Sequence, residues 1–142
     1  MSKIREAQPE DIEQLIQIST SLGYEEMSAE FAKRNISQIL NSNTDRIWVY
    51  EEEEIIKGWL HIFIALRLAS SNFAEIGGLA IKESSRRTGI GRKLVEKAMQ
   101  WATSNQLPVR VRCNTIRSDA NKFYEDVGFI FKKEQRVYEK RS

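Results

Sequence analysis

The segment between residues 73 and 105 constrains the fold most, because a strand pattern changes to a helix pattern across a glycine-bearing turn. Phe73–Ile81 has the apolar composition of a strand, Lys82–Ser85 is polar, and residues 86–91 read Arg-Arg-Thr-Gly-Ile-Gly. Apolar residues then recur at helical spacing as far as Asn105. This order predicts a strand, a tight turn and a helix whose first backbone amides point outward.

The composition of this turn predicts an anion-binding site. Gly89 and Gly91 allow a ligand to approach the backbone closely, and the unsatisfied amides at a helix start carry the positive end of the helix dipole. Arg86, Arg87 and Arg92 add local positive charge. Phosphate is the anion that such a site binds most naturally.

The spacing of the glycines excludes two common nucleotide-binding motifs. The mononucleotide loop needs G-x-x-x-x-G-K-[ST], which is absent, and the dinucleotide fingerprint needs a glycine where this chain has Leu94. The remaining pattern is R-x-x-G-x-G between a strand and a helix. It is as typical of an ordinary helix start that contains glycines and exposed arginines as it is of a phosphate site. The turn alone therefore does not identify an enzyme.

Composition and charge narrow the class of protein. A chain of 142 residues has the size of one domain, which is predicted to span residues 1–142. Its 22 Lys and Arg against 20 Asp and Glu leave a net charge of +2, so neither nucleic acid nor an anionic membrane is an expected partner. The single cysteine excludes an internal disulfide. The N-terminal segment has no apolar run of the kind found in targeting signals, which predicts a cytoplasmic protein.

Periodicity elsewhere in the chain predicts an α+β domain with a mixed sheet. A first strand at Ser2–Ala7 precedes a helix that begins at Pro9 and a second helix capped by Ser28. An antiparallel meander follows before the helix of residues 90–105. The remaining predicted elements are strands at Ile47–Tyr50, Ile55–Leu66, Phe73–Ile81 and Val109–Asn114, a helix capped by Ser118 and closed by Gly128, and final strands at Phe129–Phe131 and Arg136–Lys140.

A second motif lies one strand beyond the turn, where residues 120–129 read Ala-Asn-Lys-Phe-Tyr-Glu-Asp-Val-Gly-Phe. Together with the turn at 86–91 and the first strand and helix at 4–18, this motif resembles the GCN5-related N-acetyltransferase (GNAT) superfamily over essentially the whole chain. The resemblance implies a central, mostly antiparallel sheet with splayed parallel strands and about four helices. It also implies acetyl-coenzyme A (acetyl-CoA) as co-substrate, bound between Phe73–Ile81 and Val109–Asn114.

The resemblance also implies which residues contact the coenzyme. Backbone groups at the end of the first splayed strand would bind the acetyl and pantetheine portion, and the turn would hold the pyrophosphate. Arg117 stands where many members have an asparagine, so Asn121 is a candidate to supply that amide. The implied coenzyme-binding residues are Leu79, Ala80, Ile81, Arg86, Arg87, Thr88, Gly89, Ile90, Gly91, Arg92, Asn114 and Asn121.

Two side chains have implied catalytic roles. Glu75 is the candidate base for the acceptor amine, because members often have a carboxylate on this strand; a surface residue near the strand end is the equal alternative. Tyr124 is the candidate acid that protonates the leaving thiolate, although a bare helix tyrosine is more often a core aromatic. A backbone N–H near Leu79 would polarise the thioester carbonyl.

Other reactive side chains are predicted to have structural roles. His61, the only histidine, lies in an apolar strand and is expected to be packed or partly exposed there, although a role in the substrate pocket is open. Cys113 alternates with apolar residues and is expected in the core rather than as a covalent acetyl carrier. Four consecutive carboxylates at Glu51–Glu54 cannot converge on one ion, so a solvated hairpin tip is expected and no metal site.

The acceptor is the least determined part of the function. A primary amine of a small molecule is expected, and Glu25 and Glu26 between the first two helices favour a cationic one such as a polyamine or an aminoglycoside. Surface glutamates are equally ordinary. A peptide or protein amine is an alternative, and so is a non-catalytic acyl-CoA sensor. Assembly as a homodimer is also open.

Overall fold

A computed structural model of the chain describes residues 1–21 and 28–141. The chain divides into two compact units, Met1–Arg112 and Cys113–Ser142. The elements in chain order are β1 (Ser2–Glu6), α1 (Ile12–Ser21), α2 (Ala29–Leu40), β2 (Asp45–Glu52), β3 (Ile55–Ala65), β4 (Phe73–Ile81), α3 (Ile90–Ser104), β5 (Val109–Val111) and α4 (Ser118–Asp126), with single 3-10 turns at Pro9–Asp11 and Glu83–Ser85.

The five strands form one sheet in the order β1-β2-β3-β4-β5. Neighbouring strands are antiparallel except for β4 and β5, which run parallel. The parallel pairing begins with Ala74 opposite Val109 and ends with Ile76 opposite Val111, although β4 continues to Ile81. This mixed, mostly antiparallel sheet with four helices confirms the predicted fold class.

Alternate residues of β2 show that helices cover both faces of the sheet. Ile47 and Val49 belong to a buried cluster with Leu15 and Ile18 of α1, and residues of α2 pack against it. On the opposite face, α3 packs through an apolar stripe that consists of Ile90, Leu94, Val95, Ala98 and Ala102. The first unit is therefore a sheet between two helical layers.

Most predicted elements are present with shifted ends. The Ser28 hydroxyl caps α2 by accepting a hydrogen bond from the Phe31 amide at 3.1 Å, which confirms the predicted cap. The predicted cap at Ser118 is wrong, because Arg117 is the N-cap of α4 and no side chain caps that helix. Gly128 has φ 104°, which confirms the left-handed residue after α4.

The two predicted final strands, Phe129–Phe131 and Arg136–Lys140, are absent from the described residues. A strand needs a partner for its backbone and a surface for its apolar face, and strand propensity supplies neither. Phe131 is 74% exposed and Tyr138 is 83% exposed, so the apolar side chains of this segment are not buried. The predicted strand of Val109–Asn114 likewise ends at Val111.

The acidic turn between β2 and β3 is shorter than predicted. The strand β2 extends to Glu52, and Glu53 and Glu54 alone form the tip, with φ 52° and 68°. Both tip residues are exposed, as predicted. Glu51 instead accepts hydrogen bonds from the Arg5 guanidinium at 2.8 and 2.9 Å.

Arg5 connects three segments at the sheet edge. Besides Glu51, it donates to both carboxylate oxygens of Asp11, at 2.7 and 3.0 Å, and the Gln8 amide donates to Asp11 at 2.7 Å. Asp11 is only 5% exposed. Burial raises the pKa of Asp11, but the hydrogen bonds from Arg5 and Gln8 outweigh it, so that its pKa is lowered.

We predict that Arg5→Met lowers the free energy of unfolding by about 3 kcal/mol, because a buried carboxylate loses its guanidinium partner. Since the folded-state pKa of Asp11 is lowered, its contribution is complete above its unfolded pKa of about 3.9 and is lost as the pH falls through the folded value. Urea unfolding of both proteins from pH 7 to pH 3 should therefore show a difference that shrinks below about pH 4.

Arg141→Met is the matched control for this prediction. Arg141 also pairs with a carboxylate, that of Glu139, but both side chains are largely exposed, at 91% and 71%. Its loss should leave the free energy of unfolding almost unchanged. Equal losses in the two variants would contradict the account of Arg5.

Candidate active site

The turn between β4 and α3 is held against the sheet at Gly58 of β3. A Cβ atom on Gly58 would lie 2.8 Å from Cδ1 of Ile81 and 3.3 Å from Cγ2 of Ile90. Ile81 ends β4 and Ile90 begins α3, so the missing side chain lets both ends of the turn pack on the sheet. Gly58 is not among the predicted site residues; its one signal in the sequence is a glycine inside an apolar strand.

The turn contains two residues in the left-handed region. Gly89 has φ 86° and ψ 4°, and Arg87 has φ 63°. Glycine adopts this conformation freely, whereas for arginine it costs about 1–2 kcal/mol. Between these two residues, the Thr88 hydroxyl donates to the Ser85 carbonyl at 2.6 Å. Strained residues of this kind concentrate at functional sites, because the surrounding structure must hold them in place.

The start of α3 leaves its backbone amides without a side-chain cap. Gly89 is the N-cap, and the first helical hydrogen bond runs from the Lys93 amide to the Gly89 carbonyl at 3.1 Å. The first turn of α3 has no acidic residue to balance the helix dipole. The other three helices each have one there: Glu13, Glu30 and Asp119. The positive end of α3 is therefore uncompensated, as an external anion requires.

The arginines of this turn add charge at the same place. Arg86, Arg87 and Arg92 are all exposed. Within residues 1–21 and 28–141, neither Arg86 nor Arg87 forms a salt bridge or a side-chain hydrogen bond. Both guanidinium groups are thus available to a ligand. The structure accordingly brings residues 79–92 together along β4, the turn and α3.

Glu75, the predicted base, lies on β4 opposite Phe63 of β3 and Arg110 of β5. Its Oε1 accepts a hydrogen bond of 2.9 Å from Nε of Arg112, and the Glu75 side chain is 14% exposed. The guanidinium therefore occupies one acceptor position of this carboxylate. The role of Glu75 as base stays a prediction.

Tyr124, the predicted acid, belongs to the second unit and is half-buried there. Its ring lies edge-on to Phe123 and Phe129, with centroid distances of 5.1 and 5.6 Å. The Phe129 amide also donates to the Tyr124 carbonyl at 2.9 Å. These contacts hold the ring in one orientation within its unit, and the catalytic role stays a prediction.

Asn114 and Asn121 also lie in the second unit, where they shape the segment before α4. The Asn121 amide donates to the carbonyls of Asn114 and Arg117, at 3.1 and 2.7 Å. The Asn114 side chain accepts from the Ile116 amide at 3.1 Å. Both asparagines therefore have local structural roles, and their predicted contacts with the pantetheine arm stay predictions.

The other residues considered in the sequence lie in different environments. Cys113 is half-buried and does not lie in the core. Partial burial raises the pKa of its thiol and outweighs the opposing effect of Arg117, so that the unreactive thiol form is favoured. His61 is paired with Asp45. Glu25 and Glu26 lie outside the described residues.

Two further features concern metals and membranes. Across residues 1–21 and 28–141, no cluster of three or more His, Cys, Asp or Glu side chains could hold a metal ion. None of the helices described is long and apolar enough to cross a bilayer.

Comparison with known proteins identifies the fold and the family. A profile of the acetyltransferase (GNAT) family matches residues 10–129. No curated protein matches the sequence. Among solved structures, the chain is similar to the aminoglycoside 6'-N-acetyltransferase AAC(6')-IG from Acinetobacter haemolyticus, with 13% identity, 99% of each chain covered and a TM-score of 0.88.

Two further solved structures have the same fold. AAC(6')-Iy in complex with the bisubstrate analogue CoA-S-monomethyl-acetylneamine is 16% identical over 100% of this chain and 99% of its own, with a TM-score of 0.88. A transcriptional regulator from Bacillus halodurans C-125 is 24% identical over 98% and 99%, with a TM-score of 0.83. At such identities the likeness establishes the fold alone.

We predict that Gly89→Ala lowers the free energy of unfolding by about 1–2 kcal/mol, because alanine is strained at positive φ. Nothing lies within 4 Å of the added Cβ, so backbone strain is the whole effect. The variant should also bind coenzyme A more weakly, since relief of the strain would turn the amides away from the anion. Thermal unfolding and calorimetric titration with coenzyme A measure the two effects.

Gly128→Ala is the matched control, because Gly128 has φ 104° and equally open space around its Cα. It should lose comparable stability and retain its affinity for coenzyme A. Unchanged coenzyme A affinity in Gly89→Ala would contradict the assignment of the turn.

Proposed function

The chain belongs to the acetyltransferase (GNAT) family, and we propose that it transfers the acetyl group of acetyl-CoA to a primary amine of a small molecule within a ternary complex. The observation that carries this proposal is the uncapped start of α3, which has no acid in its first turn. Exposed arginines beside it supply the positive charge that a pyrophosphate requires.

The chemistry of the residues present fits acetyl-CoA. The amides and arginines of residues 86–92 would hold the pyrophosphate, and the backbone of Leu79, Ala80 and Ile81 would lie along the pantetheine and acetyl portion. The parallel pairing of β4 with β5 ends at Ile76, which supports the proposal that the strands diverge to admit the thioester. The co-substrate supplies the activated acetyl group, and the protein has to bind and orient it.

The acceptor amine must lose a proton before it can attack. An alkyl amine of pKa about 10.4 is neutral in roughly one molecule per thousand at pH 7, which corresponds to a cost of about 4–5 kcal/mol. A positioned base accepts that proton while the bound amine is oriented for attack. In the proposed mechanism a backbone N–H near Leu79 stabilises the developing oxyanion, and Tyr124 gives its phenolic proton to the leaving thiolate.

A small cationic amine is the acceptor that we favour. AAC(6')-IG is an aminoglycoside 6'-N-acetyltransferase, and AAC(6')-Iy has been solved with the bisubstrate analogue CoA-S-monomethyl-acetylneamine. Both have the fold of this chain over nearly its whole length. Those names describe the other proteins, and at 13% and 16% identity they support the class of acceptor without fixing its identity. A peptide amine remains the alternative acceptor.

Release of free thiol from acetyl-CoA, measured across a panel of amines, tests this function. The panel should contain aminoglycosides, linear polyamines and peptides with free amino termini. We expect release with at least one small cationic amine. Binding of acetyl-CoA without release for any amine would contradict an enzymatic role and support an acyl-CoA sensor. Release with peptides alone would change the acceptor class.

We predict that Tyr124→Phe lowers kcat by about 100-fold or more, because the leaving thiolate loses its proton donor. The affinity for acetyl-CoA should stay within about twofold, since the phenyl ring keeps its contacts with Phe123 and Phe129. Steady-state kinetics and calorimetric titration separate the two effects. Tyr138→Phe removes a hydroxyl from a tyrosine that is 83% exposed, and it is the matched control. Equal kcat values in the two variants would reject Tyr124 as the acid.

A further inference from the structure

His61 and Asp45 form a hydrogen-bonded pair on the sheet face that α1 and α2 cover. His61 of β3 lies opposite Ile47 of β2, which belongs to the buried cluster beneath α1. Nε2 of His61 and Oδ2 of Asp45 are 2.7 Å apart. The two side chains are 19% and 18% exposed, so they are neither sealed in the core nor free in solvent.

The Asp45 carboxylate is fixed from its other side. Its Oδ1 accepts hydrogen bonds from the hydroxyls of Ser42 at 2.7 Å and Thr44 at 2.9 Å. Partial burial raises the pKa of Asp45, but the hydrogen bonds from His61, Ser42 and Thr44 outweigh it and lower that pKa. Asp45 is therefore an ionised acceptor, and the Nε2 of His61 must carry the proton that it accepts.

This pairing determines which nitrogen of His61 holds the lone pair. When Nε2–H donates to Asp45, the neutral ring has its free lone pair on Nδ1. In the part of the chain that the structure describes, Nδ1 has no hydrogen-bond partner. The ring orientation is also fixed by Phe63, whose centroid lies 5.6 Å away at an interplanar angle of 36°. The arrangement is that of a base held by a carboxylate.

A β-bulge brings β4 beneath this nitrogen. His61 is paired with Gly78 and Ile62 with Ile76, so that Gly77 is an extra residue of β4 without a partner on β3. A Cβ on Gly77 would lie 2.9 Å from Nδ1 of His61. Bulges redirect side chains beside active sites. Nδ1 therefore faces Gly77, which directly follows the last residue of β4 that pairs with β5.

We propose that His61 is the catalytic base of the acetyl transfer and that Asp45 is the positioning residue that orients it. The proposal rests on the acetyltransferase function proposed above and identifies the group that accepts the acceptor's proton. Nδ1 receives this proton directly or through one water. Glu75, in contrast, already accepts a hydrogen bond from Arg112 at Oε1.

The protons and electron pairs balance in this reaction. One N–H proton of the acceptor ammonium moves to Nδ1, which gives an imidazolium paired with Asp45. The freed lone pair forms the C–N bond to the thioester carbonyl carbon, and the C–S bond breaks. The leaving thiolate takes the proton of Tyr124, which recovers one from the new amide nitrogen. The imidazolium then returns its proton to water.

Among the charged groups around the His61 ring, Asp45 is its direct partner. The residues of α2 that pack against the buried cluster on this face are apolar, namely Ile36, Ile39 and Leu40. Neighbouring charged side chains on this face of the sheet are Glu75, Arg110 and Arg112, in addition to Asp45. Glu75 is already paired with Arg112, so that Asp45 is the carboxylate positioned to stabilise the imidazolium.

The tautomer of His61 gives the first test, and it uses the unmodified protein. Because the chain has one histidine, its imidazole ¹⁵N signals in NMR need no assignment. At pH 8 we expect the Nε2–H tautomer, with Nδ1 unprotonated. The Nδ1–H tautomer would overturn the proposal, whatever the activity of any variant.

The pH dependence of kcat/KM gives the second test. In the unmodified protein we expect an acidic limb, because a protonated base cannot accept the proton of the amine. His61→Gln keeps an amide donor for Asp45 but has no base. It should lower kcat/KM about 100-fold at pH 7 and abolish the limb, with acetyl-CoA affinity and melting temperature nearly unchanged.

Two variants separate a base from a structural histidine. Asp45→Asn should lower kcat and move the limb to lower pH, because the imidazolium loses its carboxylate. Glu75→Gln should retain the limb. Unchanged kcat/KM in His61→Gln, or loss of the limb in Glu75→Gln, would overturn the assignment while the acetyltransferase function stands. No transfer by the unmodified protein to any amine would overturn both.

Discussion

The uncompensated positive end of α3 is the constraint on which the rest of the site depends. A helix start without a cap or an acidic residue is unfavourable by itself, and it is retained where an external anion completes it. Several features hold this end in place. Gly58 admits Ile81 and Ile90 to the sheet surface, and Arg87 and Gly89 turn the chain through left-handed conformations. Each of these features costs conformational entropy or introduces backbone strain, and the binding energy of a ligand would offset that cost.

The sheet sets the position of everything else in the first unit. The parallel pairing of β4 with β5 ends at Ile76, and the bulge at Gly77 follows immediately. These two irregularities fall at the same place on β4, just before the segment that leads into the turn at residues 86–91. In this arrangement the proposed base would act at the point where the strands separate. The donor and the acceptor would then meet on one strand, which is the proximity that acyl transfer requires.

The sequence predicted the features that depend on local chemistry. The bounds of β4, the start of α3 and the cap at Ser28 follow from glycine, apolar periodicity and hydroxyl capping, all of which act over a few residues. Long-range features were not predictable in this way. The Asp45–His61 pair joins residues 16 apart through strand register, and Glu75–Arg112 joins residues 37 apart. The predicted C-terminal strands are absent from the described residues because strand propensity cannot supply a pairing partner.

The central claim is that the turn at residues 86–91 binds the pyrophosphate of coenzyme A, and the affinity of Arg86→Ala for coenzyme A tests it most directly. Arg34→Ala removes another exposed arginine, on α2, and controls for the change in net charge. The account predicts roughly tenfold weaker binding for Arg86→Ala at low salt, little change for Arg34→Ala, and a difference that shrinks as salt rises. Equal dissociation constants for the two variants would contradict it.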